Sequence, residues 1–102
     1  MPDEPPVLTD SGGRADLFEI DDYLRQESLP AAARVRAELR AAMRKLAGHP
    51  GIGHLRGDLA EEPLRFWPVY SYLIIYRAET RPLQILRVLH GSRDVRKLLL
   101  KS

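Results

Sequence analysis

The sequence contains no cysteine, which excludes disulfide bonds and cysteine-ligated zinc sites. It has no apolar run near the roughly 20 residues that a membrane-spanning helix needs, so we expect no membrane segment. Its acidic, proline-rich start lacks the basic and apolar regions of a secretory signal. These absences are typical of a cytoplasmic protein. The 102 residues are enough for one domain with one modest core, and we predict a single domain over 1–102.

Reactive motifs are also missing. The histidines at positions 49, 54 and 90 are not spaced as metal ligands, and no serine lies in a Gly-x-Ser-x-Gly elbow. The glycine-rich loop at 51–57 lacks the Lys-Ser/Thr pair that a phosphate-binding loop requires. We therefore predict no metal, no cofactor and no catalytic residue from motifs of these kinds.

The charges that are present are distributed unevenly. Residues 1–30 carry eight carboxylates against two arginines, whereas residues 80–102 carry six basic side chains against one carboxylate. A basic end of this kind favours an acidic partner, either a protein segment or a nucleic acid. The alternative is that lysines 97 and 101 simply complement the dipole of a C-terminal helix.

Hydrophobic periodicity predicts an α+β fold with the element order β-α-α-β-β-β-α. After a frayed tail at 1–6, we expect an edge strand at 7–9 and a helix that begins at Asp10 or Ser11. A second helix runs from Pro30 to Gly48, and strands follow at 64–69, 72–78 and 83–89. Ser92 is expected to cap a last helix that ends at Leu100. The two long helices should form a hairpin on one face of a mostly antiparallel sheet.

Two arginines, Arg65 and Arg87, lie among apolar neighbours on these predicted strands. On a half-buried antiparallel sheet they would face solvent, with tyrosine 70, 72 or 76 nearby, and such a cationic and aromatic surface suits RNA. The alternative is that Arg87 pairs across the sheet with Glu62 or Glu79. His90 would then be a turn residue hydrogen-bonded to backbone. In the first helix, Asp16 is expected on the solvent face with the other charged side chains.

Four segments of the chain resemble motifs of the RelE/ParE toxin superfamily. Residues 15–24 resemble its A-D-L-x-E-I-x-x-Y-I opening, and residues 33–34 with 46–53 its AAR … L-A-x-x-P-x-x-G hairpin. Residues 64–77 are similar to its strand pair, L-R-x-x-x-V … Y-x-I-x-Y-R. Residues 85–94 are close to I-L-R-V-L-H-G-x-R-D. The segments occur in order over about 7–100, and the family has the element order predicted above.

The resemblance implies a toxin of a type II toxin–antitoxin system. Its partner would be a small, flexible and partly acidic antitoxin, with which it would form a hetero-oligomer. RelE-like members cut mRNA on the ribosome with arginines and a C-terminal tyrosine. ParE-like members poison DNA gyrase without established catalytic residues, so they would meet nucleic acid only indirectly.

The sequence departs from the RelE pattern at two positions. Leu73 stands where a strand arginine is expected, and Leu98 or Leu99 stands where the catalytic tyrosine is expected. The turn from His90 to Asp94 has the ParE-like form. We therefore predict a ParE-like gyrase inhibitor that is not an enzyme, and candidate residues for contacting target or antitoxin are Arg65, Arg87, His90, Arg93, Arg96 and Lys97. A ribosome-dependent nuclease, or a degenerate member that binds only its antitoxin, are the alternatives.

Overall fold

The computed structural model of the protein describes residues 7–100. The tail that we expected to be frayed, 1–6, lies outside the described residues. A short 3₁₀ turn at Pro50–Ile52 follows the second helix. The strands and helices are β1 Val7–Thr9, α1 Ser11–Glu27, α2 Leu29–Gly48, β2 His54–Leu55, β3 Arg65–Val69, β4 Tyr72–Arg77, β5 Leu83–His90 and α3 Val95–Leu100.

The strands form one mixed sheet in the order β1-β5-β4-β3-β2. β1 runs parallel to β5 at one edge, and the other neighbours pair antiparallel. The predicted α+β class, the element order and the edge position of β1 are confirmed. The two-residue strand β2 was not predicted, because His54 and Leu55 are too few to show a pattern in a glycine-rich loop.

The helical hairpin covers the first face of the sheet. Helix α2 begins where the hydroxyl of Ser28 accepts the N–H of Ala31 at 3.2 Å, and Pro30 occupies its first turn. Its apolar stripe is then buried at helical spacing against β3, β4 and β5. The buried residues of this first core are Leu39, Leu46, Val69, Ile74, Tyr76, Leu83, Ile85 and Val88.

The second face of the sheet is also covered, contrary to our prediction that it faces solvent. Helix α3 and the segment at 59–64 pack against it through apolar side chains. Alternate residues of β3 and β4 therefore enter two different cores, which is why those strands carry long apolar runs. The buried residues of the second core are Leu64, Phe66, Ile75, Leu89 and Val95.

Tyr76 ties the glycine-rich loop to the first core. We expected it beside a cationic outer surface, but its side chain is fully buried. Its hydroxyl donates to the carbonyl of Pro50 at 2.6 Å and accepts the N–H of Gly53 at 2.9 Å. Burial raises the pKa of Tyr76, so the hydroxyl stays protonated and able to donate.

Replacing Tyr76 by phenylalanine should leave the Gly53 N–H and the Pro50 carbonyl without this partner. Because a buried unsatisfied polar group costs about 1–3 kcal/mol, we expect the free energy of unfolding to fall by about that amount. Urea denaturation measures the change. Tyr23→Phe, which removes an exposed hydroxyl from α1, is the matched control and should change stability by less than about 0.5 kcal/mol. Equal effects of the two substitutions would contradict the role assigned to Tyr76.

Candidate functional site

The carboxylate of Asp16 on α1 binds the part of β5 that lies beyond the end of its neighbour β1. β1 pairs with β5 only along Leu83–Ile85, so the same edge of β5 has no strand beside it further on. There Asp16 accepts the backbone N–H of Val88 at 2.9 Å. It also accepts two hydrogen bonds from the Arg87 guanidinium, from Nε at 2.7 Å and from Nη2 at 3.0 Å.

This ion pair lies largely inside the protein. Asp16 is 7% exposed and the Arg87 side chain is 20% exposed. The hydrogen bonds to Asp16 raise the pKa of Arg87, which keeps the guanidinium charged. Arg87 is therefore committed to a bidentate contact within the fold.

Two glycines allow α1 to approach β5 closely enough for this contact. A methyl group added at Gly12 would lie 3.0 Å from Cδ of Arg87. One added at Gly13 would lie 3.2 Å from the carbonyl oxygen of Leu86. The Gly-Gly pair weakens the first helical turn intrinsically, but it provides the space that the ion pair requires.

Several predictions about these residues were wrong. Asp16, expected on the wet face of α1, is buried, and Arg87 pairs with it instead of with Glu62 or Glu79. Glu62 pairs with Arg77. The sequence did contain an indication that Asp16 is buried. Asp16 lies three residues after Gly13, so both share the face of α1 that meets β5.

Replacing Asp16 by alanine should leave a buried guanidinium and the Val88 N–H without their acceptor. Breaking a buried pair in this way costs about 3–5 kcal/mol, and because Arg87 retains some exposure we expect the lower end of that range. Chemical denaturation measures the loss of unfolding free energy. Asp22→Ala on the exposed face of the same helix removes the same group and should change stability by less than about 0.5 kcal/mol. An Asp16→Ala protein as stable as Asp22→Ala would contradict the assignment.

Arg65 is also held within the fold. Its Nη1 donates to the carbonyl of Gly53 at 2.7 Å, and the side chain is half-buried. It therefore helps Tyr76 to anchor the glycine-rich loop. The structure does not bring Arg65 and Arg87 together on a solvent-facing cationic surface, because the sheet has a core on each side.

The turn after β5 is stabilised by local hydrogen bonds. Nδ1 of His90 accepts the backbone N–H of Ser92 at 3.1 Å, which agrees with the alternative of a turn histidine bonded to backbone. The Ser92 hydroxyl oxygen also lies within hydrogen-bonding distance of Nδ1, at 2.7 Å. The ring meets Tyr72 edge-on, with ring centroids 5.3 Å apart. These contacts hold the exposed imidazole in one orientation.

The cap of α3 differs from our prediction. Oδ1 of Asp94 accepts the N–H of Lys97 at 3.1 Å, whereas Ser92 bonds to His90. Asp94 is therefore the N-cap of α3, because it directly precedes the first helical residue, Val95. Ser92 lies too far before the helix to do so.

The other predicted contact residues lie in or near α3 and are exposed. Arg93 makes no ion pair within residues 7–100, and Lys97 is exposed on α3. Arg96 makes a long contact, 3.4 Å from Nη1 to the carbonyl of Asp58. With His90, these three cationic side chains form what we call the basic turn: His90, Arg93, Arg96 and Lys97.

The sequence analysis missed an apolar groove between α1 and α2. The groove has a volume of about 340 Å³, and Phe18 beside it is 74% exposed. Arginines 36 and 40 lie at its rim, and Arg36 pairs with Asp21. The apolar side chains that line it include Leu17, Phe18, Leu24, Val35 and Met43. Phe18 directly follows Leu17, which packs against the first core, but the ring of Phe18 itself stays exposed.

Metal-binding clusters and membrane-spanning helices are absent from residues 7–100. No group of three histidine, aspartate or glutamate side chains there is arranged to hold a metal ion. None of the described helices is both long and apolar enough to cross a membrane.

The strand–helical-hairpin–sheet architecture and the turn after β5 define a small α+β fold. Its backbone is similar to a chain in the solved structure of the chromosomal ParDE toxin–antitoxin system from P. aeruginosa. The TM-score is 0.67 at 20% sequence identity, and the match covers 85% of this chain and 96% of that one.

The sequence comparisons identify the family. Residues 13–95 match the family model described as the ParE toxin of the type II toxin–antitoxin system parDE. Toxin ParE1 of Caulobacter vibrioides is 33% identical over 92 residues, which cover 89% of this chain and 94% of that protein. The chain belongs to the ParE toxin family of type II toxin–antitoxin systems, and the resemblance in the sequence is confirmed.

Proposed function

We propose that this single-domain ParE-type toxin inhibits DNA gyrase in the cytoplasm and is neutralised by a cognate antitoxin in a hetero-oligomer. Membership of the ParE family over residues 13–95 supports a toxin with this kind of partner. The toxin would inhibit by binding and would not itself cleave a nucleic acid.

One observation supports this proposal over mRNA cleavage. Phosphoryl transfer requires cationic groups aimed at a phosphate, but each of the three strand arginines, including Arg77 with Glu62, is turned to a partner within the protein. Arg65 contacts Gly53 and Arg87 contacts Asp16. Leu73, at the position where a nuclease arginine is expected, packs against the second core. Exposed His90 and Arg93 remain, and they suit a protein contact better than an active site.

A supercoiling assay with purified gyrase tests the proposal. We expect the toxin to inhibit supercoiling and its antitoxin to restore it. Arg93→Ala should weaken inhibition by about tenfold or more, because a charged residue central to an interface is a frequent hot spot. Arg81→Ala removes the same charge from the exposed turn before β5 and is the matched control. Normal supercoiling at a large excess of toxin would overturn the proposal.

A translating extract separates the two mechanisms. Cleaved message in the presence of toxin, with cleavage lost in Arg93→Ala, would favour a ribosome-dependent nuclease instead. Intact message together with inhibited gyrase would support inhibition by binding. A folded toxin that binds antitoxin but affects neither system would identify a degenerate member.

The groove between α1 and α2 is the surface that we propose for the antitoxin. Its apolar floor and arginine rim complement an amphipathic helix with acidic flanks. Helix α2 as a whole is positively charged, since it contains a single glutamate and five basic side chains. They are Arg34, Arg36, Arg40, Arg44 and Lys45.

Replacing Phe18 by serine should weaken antitoxin binding by about tenfold, or about 1.4 kcal/mol, because the exposed ring would be buried only in the complex. Titration calorimetry with the antitoxin measures the affinity. Leu55→Ser removes an exposed apolar side chain from β2 and is the control. Equal affinities for the two variants would place the antitoxin elsewhere.

A further inference from the structure

The connection between β3 and β4 contains an unusual backbone. It consists of Tyr70 and Ser71, and Tyr70 has φ = 54°. No other non-glycine residue among 7–100 has a positive φ. Tight hairpin turns that need this conformation usually carry glycine, asparagine or aspartate, because a Cβ is disfavoured there. A tyrosine at this position destabilises the turn relative to those residues.

Packing within the fold does not offset this strain. The Tyr70 side chain is 58% exposed, and its hydroxyl makes no hydrogen bond within residues 7–100. Strained residues of this kind persist where the surrounding structure holds them, and they concentrate at functional sites. An exposed tyrosine on a strained turn is therefore better explained by a contact with another molecule.

The turn is joined firmly to the basic turn. The Gly91 N–H donates to the carbonyl of Ser71 at 2.7 Å, and Tyr72 pairs with His90 across β4 and β5. Between the two turns lies an open cleft of about 380 Å³. Tyr70, Tyr72 and His90 line it, and most of its exposed lining is apolar.

The turn that flanks this cleft carries an unpaired positive charge. Arg93 follows His90 by three residues, is exposed and has no ion pair within 7–100. The nearest acid in sequence, Asp94, uses a carboxylate oxygen to cap α3. An aromatic cleft whose flanking turn carries an unpaired arginine complements an apolar side chain flanked by carboxylates.

We propose that Tyr70 is an anchor by which the toxin contacts its target protein, with the cleft receiving an apolar side chain from an acidic surface segment of that target. This inference rests on the proposed function, in which the target is DNA gyrase. The cleft and the groove between α1 and α2 have no lining residue in common. The toxin therefore has separate surfaces for target and antitoxin.

The substitutions Tyr70→Gly and Tyr70→Asn test the inference. Both residues accept a positive φ, so the melting temperature of the purified protein should stay the same or rise by a few degrees. Growth arrest on expression without antitoxin should nevertheless be lost, and inhibition of purified gyrase should weaken at least tenfold. Affinity for the antitoxin should stay within about twofold. Tyr70→Phe, which keeps the ring, should retain activity, and Leu55→Asn is the remote exposed control.

The outcomes separate this inference from the proposed function. If both variants arrest growth as strongly as the unmodified toxin, Tyr70 is not an anchor and the inference is overturned. Loss of antitoxin affinity would place the cleft in the other interface and also overturn it. A lower melting temperature in both variants would contradict the strain argument. If the unmodified toxin arrests growth without inhibiting gyrase, only the identity of the target fails, and growth arrest by the variants still decides the role of Tyr70.

Discussion

The contact of Asp16 with β5 is the interaction on which the arrangement of this protein depends. β5 is longer than its parallel neighbour, and a strand edge without a partner would leave a backbone N–H unsatisfied inside the protein. One carboxylate accepts that N–H and neutralises the adjacent guanidinium of Arg87. The same contact sets the distance of α1 from the sheet. It therefore positions both the helical hairpin and the turn that follows β5.

The second core determines what the sheet can do. A sheet with one open face could present arginines and tyrosines to an RNA, as a nuclease requires. Here α3 closes that face, Tyr76 is buried on the other, and the strand arginines are bound to the protein itself. The accessible surfaces of the described residues include an apolar groove on the helices and a basic turn beside an aromatic cleft. Both are suited to protein partners, which is consistent with membership of the ParE family.

Physical separation of these two surfaces has a consequence for regulation. The groove lies between α1 and α2, and the basic turn lies at the end of β5. The Asp16 contact connects the two surfaces, because α1 forms one wall of the groove and Asp16 on α1 also binds β5. An antitoxin that binds the helices would therefore contact α1, the helix that positions the turn after β5.

The sequence by itself determined the α+β class, the element order and the family, because hydrophobic period and short motifs are local properties of the chain. It also located the basic turn and showed that the expected nuclease residues are absent, because both follow directly from residue types. It did not predict the partner of Arg87, which lies 71 residues away, or the second core. A charged side chain on an amphipathic helix has solvent as its default environment, and burial of Asp16 becomes favourable only once folding brings Val88 and Arg87 to it. Only the tertiary structure decided which arginines remain free for a partner, because pairing over such a distance depends on packing and not on local pattern.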